Sequence, residues 1–132
     1  MSDGFKIEII NPEKSFYVKE NISEVIVPAF EGEMGILKDH IPIIFFLKPG
    51  IVKVIYGTEE EKFYADNGIV EFKDNSLCIL TSSIINLKEM KNDFVKNSIL
   101  AAEKELGNEN LDDHKKFLLN QKIDALKYIN VN

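Results

Sequence analysis

The sequence predicts an α+β chain: a flattened β-sandwich over residues 1–86, followed by an antiparallel αα-hairpin over residues 87–132. Three observations predict it. All four prolines lie before residue 50 and six of the seven glycines before residue 69, so turn residues crowd the first part. Between them recur short runs rich in β-branched and aromatic residues. Beyond Asn86 the apolar residues change to spacings of three and four, the period of a helix face.

The strands follow in order. Phe5–Ile10 alternates in period two, with Phe5, Ile7 and Ile9 set against Lys6 and Glu8. Ser15–Lys19, Ile22–Val27, Ile43–Leu47, Ile51–Tyr56, Glu61–Ala65, Ile69–Phe72 and Leu77–Thr81 complete the candidates. Pro12-Glu13, Gly57-Thr58, Asn67-Gly68 and Asp74-Asn75 mark turns between them. Glu31-Gly32-Glu33-Met34-Gly35 reads as an acidic, glycine-rich turn. Eight or more short strands with such turns make a sandwich or a flattened barrel.

Asn86-Leu87-Lys88-Glu89 fits a capping box, which opens a helix running to Leu106 and stopped by Gly107. Val95, Ile99, Ala102 and Leu106 share one face of it. A second helix starts near Leu111, with Asp112 and Asp113 at its positive end. Leu119, Ile123 and Leu126 form its inner stripe, flanked by Leu118, Ala125 and Ile129.

At 132 residues the chain is one average domain or two small ones. No apolar run approaches the roughly 18–20 residues of a membrane span. Met1-Ser2-Asp3-Gly4 has no basic region leading into an apolar stretch, so no signal peptide is expected. The one cysteine, Cys78, excludes an internal disulfide and a cysteine-based zinc cluster, and is expected to be a buried small hydrophobe. The net charge of −6 argues against nucleic acid as a partner. Residues 1–86 carry all of it, with 8 Lys against 14 Asp and Glu, while residues 87–132 are neutral. The chain has no arginine, so bidentate guanidinium recognition of phosphate is absent.

No constellation of residues supports a reaction. The Glu31–Gly35 segment offers two acids without a clear third ligand, too few for a divalent cation, and no nucleophile beside them. As a plain solvated turn it needs no further role. His40 has no Ser-His-Asp or His-Glu-x-x-His surroundings, and a lone histidine is more often a structural hydrogen-bonder. His114 stands beside Lys115 and Lys116 on a solvated helix face. Phe45 and Phe46 are neighbours on a strand and point to opposite faces, so either both are buried within the chain or one is core and the other is covered by the helical hairpin or another subunit. No GxxxxGK[ST] phosphate loop occurs.

Glu31-Gly32-Glu33-Met34-Gly35, then His40-Ile41-Pro42, then Lys48-Pro49-Gly50, together resemble the epsilon-subunit family of F-type ATP synthases. That family reads EGE-hydrophobic-G-hydrophobic-x-x-H-x-P and then KPG. The match is strongest over residues 22–82. It includes Phe63–Phe72, similar to the family's strand, small-x-Gly-Gly, strand segment, with Asn67 in place of the usual first Gly. Lys38-Asp39 stands where the family often has Pro-Gly.

The resemblance implies about ten strands and a C-terminal helical hairpin. It implies a non-catalytic rotor subunit with no cofactor and no metal. Glu31, Glu33 and His40 would face the membrane-embedded c-ring, and Asn11, His40 and Phe45 the gamma subunit. The hairpin, packed through Val95, Ile99, Ala102, Leu106, Leu119, Ile123 and Leu126, would reach the catalytic alpha/beta head and inhibit ATP hydrolysis. Membrane association would arise only through the complex, on the cytoplasmic side of the bacterial inner membrane. Some members bind ATP through I/L-D-x-x-R-A. Neither Leu87–Asn92 nor Met90–Val95 supplies the acid and the arginine together, so weak or absent ATP binding is expected. The competing expectation is a free-standing β-sandwich that senses or binds a small ligand and carries a helical tail.

Overall fold

Period-two alternation places the first strand. In β1 (Phe5–Ile10), Phe5, Ile7 and Ile9 are buried and Lys6 is exposed. The computed structural model describes residues 4–129, and the expectation for Met1–Asp3 lies outside them. Nine further strands follow among the described residues: β2 (Ser15–Ile22), β3 (Glu24–Ala29), β4 (Gly32–Leu37), β5 (Ile43–Leu47), β6 (Gly50–Tyr56), β7 (Glu59–Ala65), β8 (Gly68–Lys73), β9 (Ser76–Thr81) and β10 (Ile84–Asn86).

Hydrogen bonding runs in the order β10-β7-β6-β3-β5-β8-β9-β1-β2, with β4 on the far edge of β3. The ladder nearly breaks between β3 and β5, where Ala29 opposite Leu47 is the single pair. There the sheet folds into two layers, β4-β3-β6-β7-β10 and β5-β8-β9-β1-β2. All pairings are antiparallel except β1 with β9. The inner faces meet in one core that includes Ile7, Ile9, Val25, Ile36, Leu47, Phe63, Phe72 and Ile79. Such closely packed interiors are stiff.

A polar clasp joins the layers where β2 passes β7. The Tyr17 hydroxyl donates to Glu61 Oε1 at 3.1 Å, the Tyr56 hydroxyl at 2.5 Å and Lys19 Nζ at 3.3 Å. Lys19 also lies 3.8 Å from the centre of the Tyr56 ring. Burial alone would raise the Glu61 pKa, but the hydrogen bonds from Tyr56, Lys19 and Tyr17 outweigh it and hold the carboxyl below its ordinary value. The Tyr17 hydroxyl is pushed up by burial and by the Glu61 charge.

Two helices follow, α1 (Asn92–Leu106) and α2 (Asp113–Tyr128). The first begins later than the capping box predicts. Asn86 does cap, accepting from Lys88 N at 2.9 Å, yet it starts only a 3-10 turn over Leu87–Glu89. Met90 then takes extended backbone (φ −77°, ψ 132°) and is buried between sandwich and hairpin. Continuing the helix through residue 90 would forgo that burial. Gly107 ends α1 with φ −73°, without the left-handed turn that favours glycine there. The Asp112 carboxylate caps α2, accepting from Lys115 N at 2.8 Å.

The strand boundaries also move. Ile22 closes β2 rather than opening β3, because it pairs with Phe5 of β1 beyond a register shift where Asn21 takes φ 59°. The turn expected at Glu31–Gly35 shrinks to Phe30-Glu31, and Gly32–Leu37 forms β4. Its inward residues are Met34 and Ile36.

Candidate functional site

Three surfaces are built on this frame: an apolar outer face, an acidic tip and the hairpin's dock. The apolar face lies on the β5-β8-β9-β1 layer. Leu47, buried, fixes the phase of β5, so Ile43 and Phe45 turn inward while Ile44 and Phe46 turn out. Phe46 is 66% exposed. Opposite it sits Ile69, then Leu80, then Ile10, one register row across four strands. Asn11 and Pro12 flank this row in a groove of about 430 Å³ that Phe46 also lines. An exposed apolar row with polar margins suits a contact surface, and aromatic residues are enriched at such surfaces.

Asn11 and Phe46 therefore stand together. Phe45 does not join them on the outer face; it packs against the core, because period two puts it in phase with Leu47. The Asn11 side chain is already occupied in part, its oxygen accepting from Glu13 N and Lys14 N, both at 3.0 Å. Cys78 is also not in the core. It is half-buried on the outer face between Glu8 and Glu71 in register, and burial followed by those charges raises its thiol pKa.

The acidic tip is the β3–β4 turn. Glu31 and Glu33 are both exposed there, beside a groove of about 520 Å³ floored by Met34, Phe45 and Phe46. His40 lies at the opposite end of β4, a strand whose six residues span roughly 17–20 Å. Its Nδ1 donates to the Ile41 carbonyl at 2.8 Å, and its ring meets Phe72 edge-on at 5.9 Å. A paired contact beside it, Asp39 with Asn75, ties this end to the β8–β9 turn. The structure thus separates His40 from both the acid pair and the Asn11–Phe46 groove.

The dock lies on the outer face of the other layer. Ile51, Tyr64 and Ile85 share one row across β6, β7 and β10. Tyr64, Met90, Val95 and Leu126 make a second core there, joined by Ile99 and Ala125. Ala102 of α1 and Ile123 of α2 are buried, and Leu106 and Leu119 are half-buried. Asp66 accepts from the Tyr64 hydroxyl at 3.1 Å and faces Lys122 Nζ at 3.5 Å. Burial, then the Asp66 charge, raises the Tyr64 pKa. At the tip, Phe30 stacks on Phe117 of α2 with ring centres 5.5 Å apart.

The sequence reading missed Phe46, Phe30 and the Asp66–Lys122 pair. Counting in twos back from the buried Leu47 would have found the first. Phe30 carries a weaker signal, a large aromatic in a two-residue turn. The ion pair has none, since its members meet only through the docked hairpin. Among the described residues no three acids, histidines or cysteines gather as a metal site, and no helix is long and apolar enough to cross a membrane.

The ATP synthase delta/epsilon chain β-sandwich domain matches residues 4–87. An ATP synthase epsilon chain of Pelagibacter ubique is 55% identical over 130 residues, covering 98% of this chain and all of that one. One from Rhizobium etli is 33% identical over 116 residues, covering 87% of this chain and 85% of that one. The fold is similar to a chain in the Euglena gracilis mitochondrial ATP synthase, with TM-score 0.76 and 18% identity over 96% of this chain and 81% of that one. A chain in the Tetrahymena thermophila mitochondrial ATP synthase central stalk and c-ring gives TM-score 0.65, also at 18% identity, over 96% of both. By the sandwich match and the full-length relatives, this chain belongs to the ATP synthase epsilon chain family.

Proposed function

We propose that this chain is a non-catalytic rotor subunit of a bacterial F-type ATP synthase, working by surface contact. The row Phe46–Ile69–Leu80–Ile10 carries the reading, because it is an unpaired apolar strip on the outside of a rigid sandwich. Gamma is its partner, with Asn11 at the margin. Phe46 takes the part first assigned to Phe45. Glu31 and Glu33 face the c-ring, where exposed carboxylates suit a loop bearing basic residues. His40, at the other end of β4, serves as a structural support for Phe72 and is a poor candidate for either contact. The chain sits at the cytoplasmic side of the inner membrane only by way of the complex.

The hairpin is the regulatory part. In the docked arrangement it lies on Ile51, Tyr64 and Ile85. Undocked, its apolar stripe can enter the space between gamma and the alpha/beta head and obstruct rotation in the hydrolytic direction. A preference of a few kcal/mol decides between the two positions. The test is co-elution: the full chain mixed with purified gamma emerges as one complex. Separate elution at tens of micromolar refutes the rotor reading and favours a free-standing ligand-binding sandwich.

A further inference from the structure

We propose that the element of gamma lying on the apolar row carries two lysines or arginines about 10 Å apart, received by Glu71 and Glu8; this rests on the rotor reading above. Beside the apolar row, two residues along each strand, runs a second register row: Ile44, Glu71, Cys78, Glu8 and Val18. Glu71, Cys78 and Glu8 each sit between two buried residues of their own strand, so all three point outward on the same face as the apolar row. One row further on stand Lys73, Ser76 and Lys6. The outer face is therefore striped: apolar, then acidic, then basic.

A stable interface buries about 800 Å² on each partner, more than one row of four side chains presents. The apolar row lies at the ends of its strands, so the sheet continues only toward the acidic row. A partner seated on Phe46 and Leu80 therefore also covers Glu71 and Glu8. Ser15 Oγ donates to Glu8 Oε2 at 2.8 Å, but among the described residues neither carboxylate belongs to a salt bridge. A wholly apolar cover would strip water from both charges and return nothing. A cover with two cations replaces that water. Two strand spacings of about 4.8 Å separate β8 from β1, and two turns of a helix, about 10.8 Å, supply cations at that distance. Lys73 and Lys6 repel a cation set one row too far, which fixes the partner's register along the strands.

The experiment titrates gamma into full chains of wild type, Glu8→Gln, Glu71→Gln and the double variant. A control, Glu59→Gln with Glu109→Gln, removes the same charge at exposed positions off this face. Glutamine keeps the size of the side chain and an acceptor for Ser15. At low salt the double variant is expected to weaken gamma binding about three- to tenfold, mainly by slowing association, and the two single losses multiply to give it. The difference vanishes at about 0.5 M salt, and the control stays within about twofold of wild type. A second measurement needs no variant: saturating gamma shields Cys78 from alkylation, read by mass spectrometry at that residue. Wild-type affinity in the double variant, an equal loss in the control, or an unchanged rate of Cys78 alkylation overturns the inference. Failure of the wild type to bind gamma overturns the rotor reading instead.

Discussion

Leu126→Ala separates the hairpin from the sandwich energetically. Leu126 is fully buried in the last turn of α2, packed with Tyr64, Met90 and Val95. Truncating a buried leucine costs about 2–5 kcal/mol, depending on how far the site collapses. The site lies near a helix end, where relaxation is easier, so about 3 kcal/mol is the working figure. The sandwich core is a separate cluster that does not include Leu126. The loss therefore falls on docking, not on the strands. At about 1.4 kcal/mol per decade, it raises the exchange rates of α2 amides roughly a hundredfold. Native-state hydrogen exchange reads this directly, with β8 and β9 as internal reference. Leu100→Ala, at a 64% exposed position, should change α2 exchange little. Equal loss of protection in α2 and in β8–β9 would refute the reasoning, because it would make hairpin and sandwich one cooperative unit. So would α2 protection left unchanged.

Asp66→Asn removes the charge facing Lys122 at 3.5 Å. Docking should weaken by no more than about 1 kcal/mol, and the sensitivity of α2 exchange to salt should fall; an unchanged salt response would argue against the pair. Gly68→Ala should be severe, because its new methyl would overlap the Leu80 carbonyl oxygen and crowd Thr81 across the β8–β9 pair. With a backbone neighbour unable to give way, Tm should drop by more than about 10 °C, and a wild-type melting curve would contradict the close approach. The Glu61 carboxyl has a folded pKa below its ordinary value. Its stabilisation is complete above the unfolded value and lost as pH falls through the folded one. Stability measured below about pH 4.5 should therefore decline more steeply in wild type than in Glu61→Gln; parallel acid curves would exclude that role.

What the sequence disclosed followed from periodicity. β1 and β5 could be read to the residue, β1 because its alternation is sharp and β5 because Pro42 and Lys48-Pro49-Gly50 bound an unbroken apolar run. β4 was hidden because Gly32 and Gly35 look like turn residues, although Met34 and Ile36 alternate inward along it. β10 is only three residues long: Ile84 and Ile85 fall outside every expected strand, and Asn86 reads only as a helix cap. The capping box at Asn86 was real but local. A tertiary contact, the burial of Met90, overrode helix propagation. Site residues were harder to see. Which of two adjacent phenylalanines faces out depends on register with Leu47, and which ends of β4 hold Glu33 and His40 depends on strand direction. Proximity in sequence suggested one surface for Glu31, Glu33 and His40, whereas an extended strand carries them apart.

The outer apolar row is the most direct point of attack. Isothermal titration of purified gamma against wild type and Phe46→Asp tests it with one side chain. Phe46 is 66% exposed, so the substitution leaves the sandwich folded, as thermal melting can verify. A charge placed at the aromatic anchor should weaken gamma binding at least tenfold, on the order of 2 kcal/mol for an interface hot spot. Equal affinity of the two proteins for gamma would contradict contact through this face.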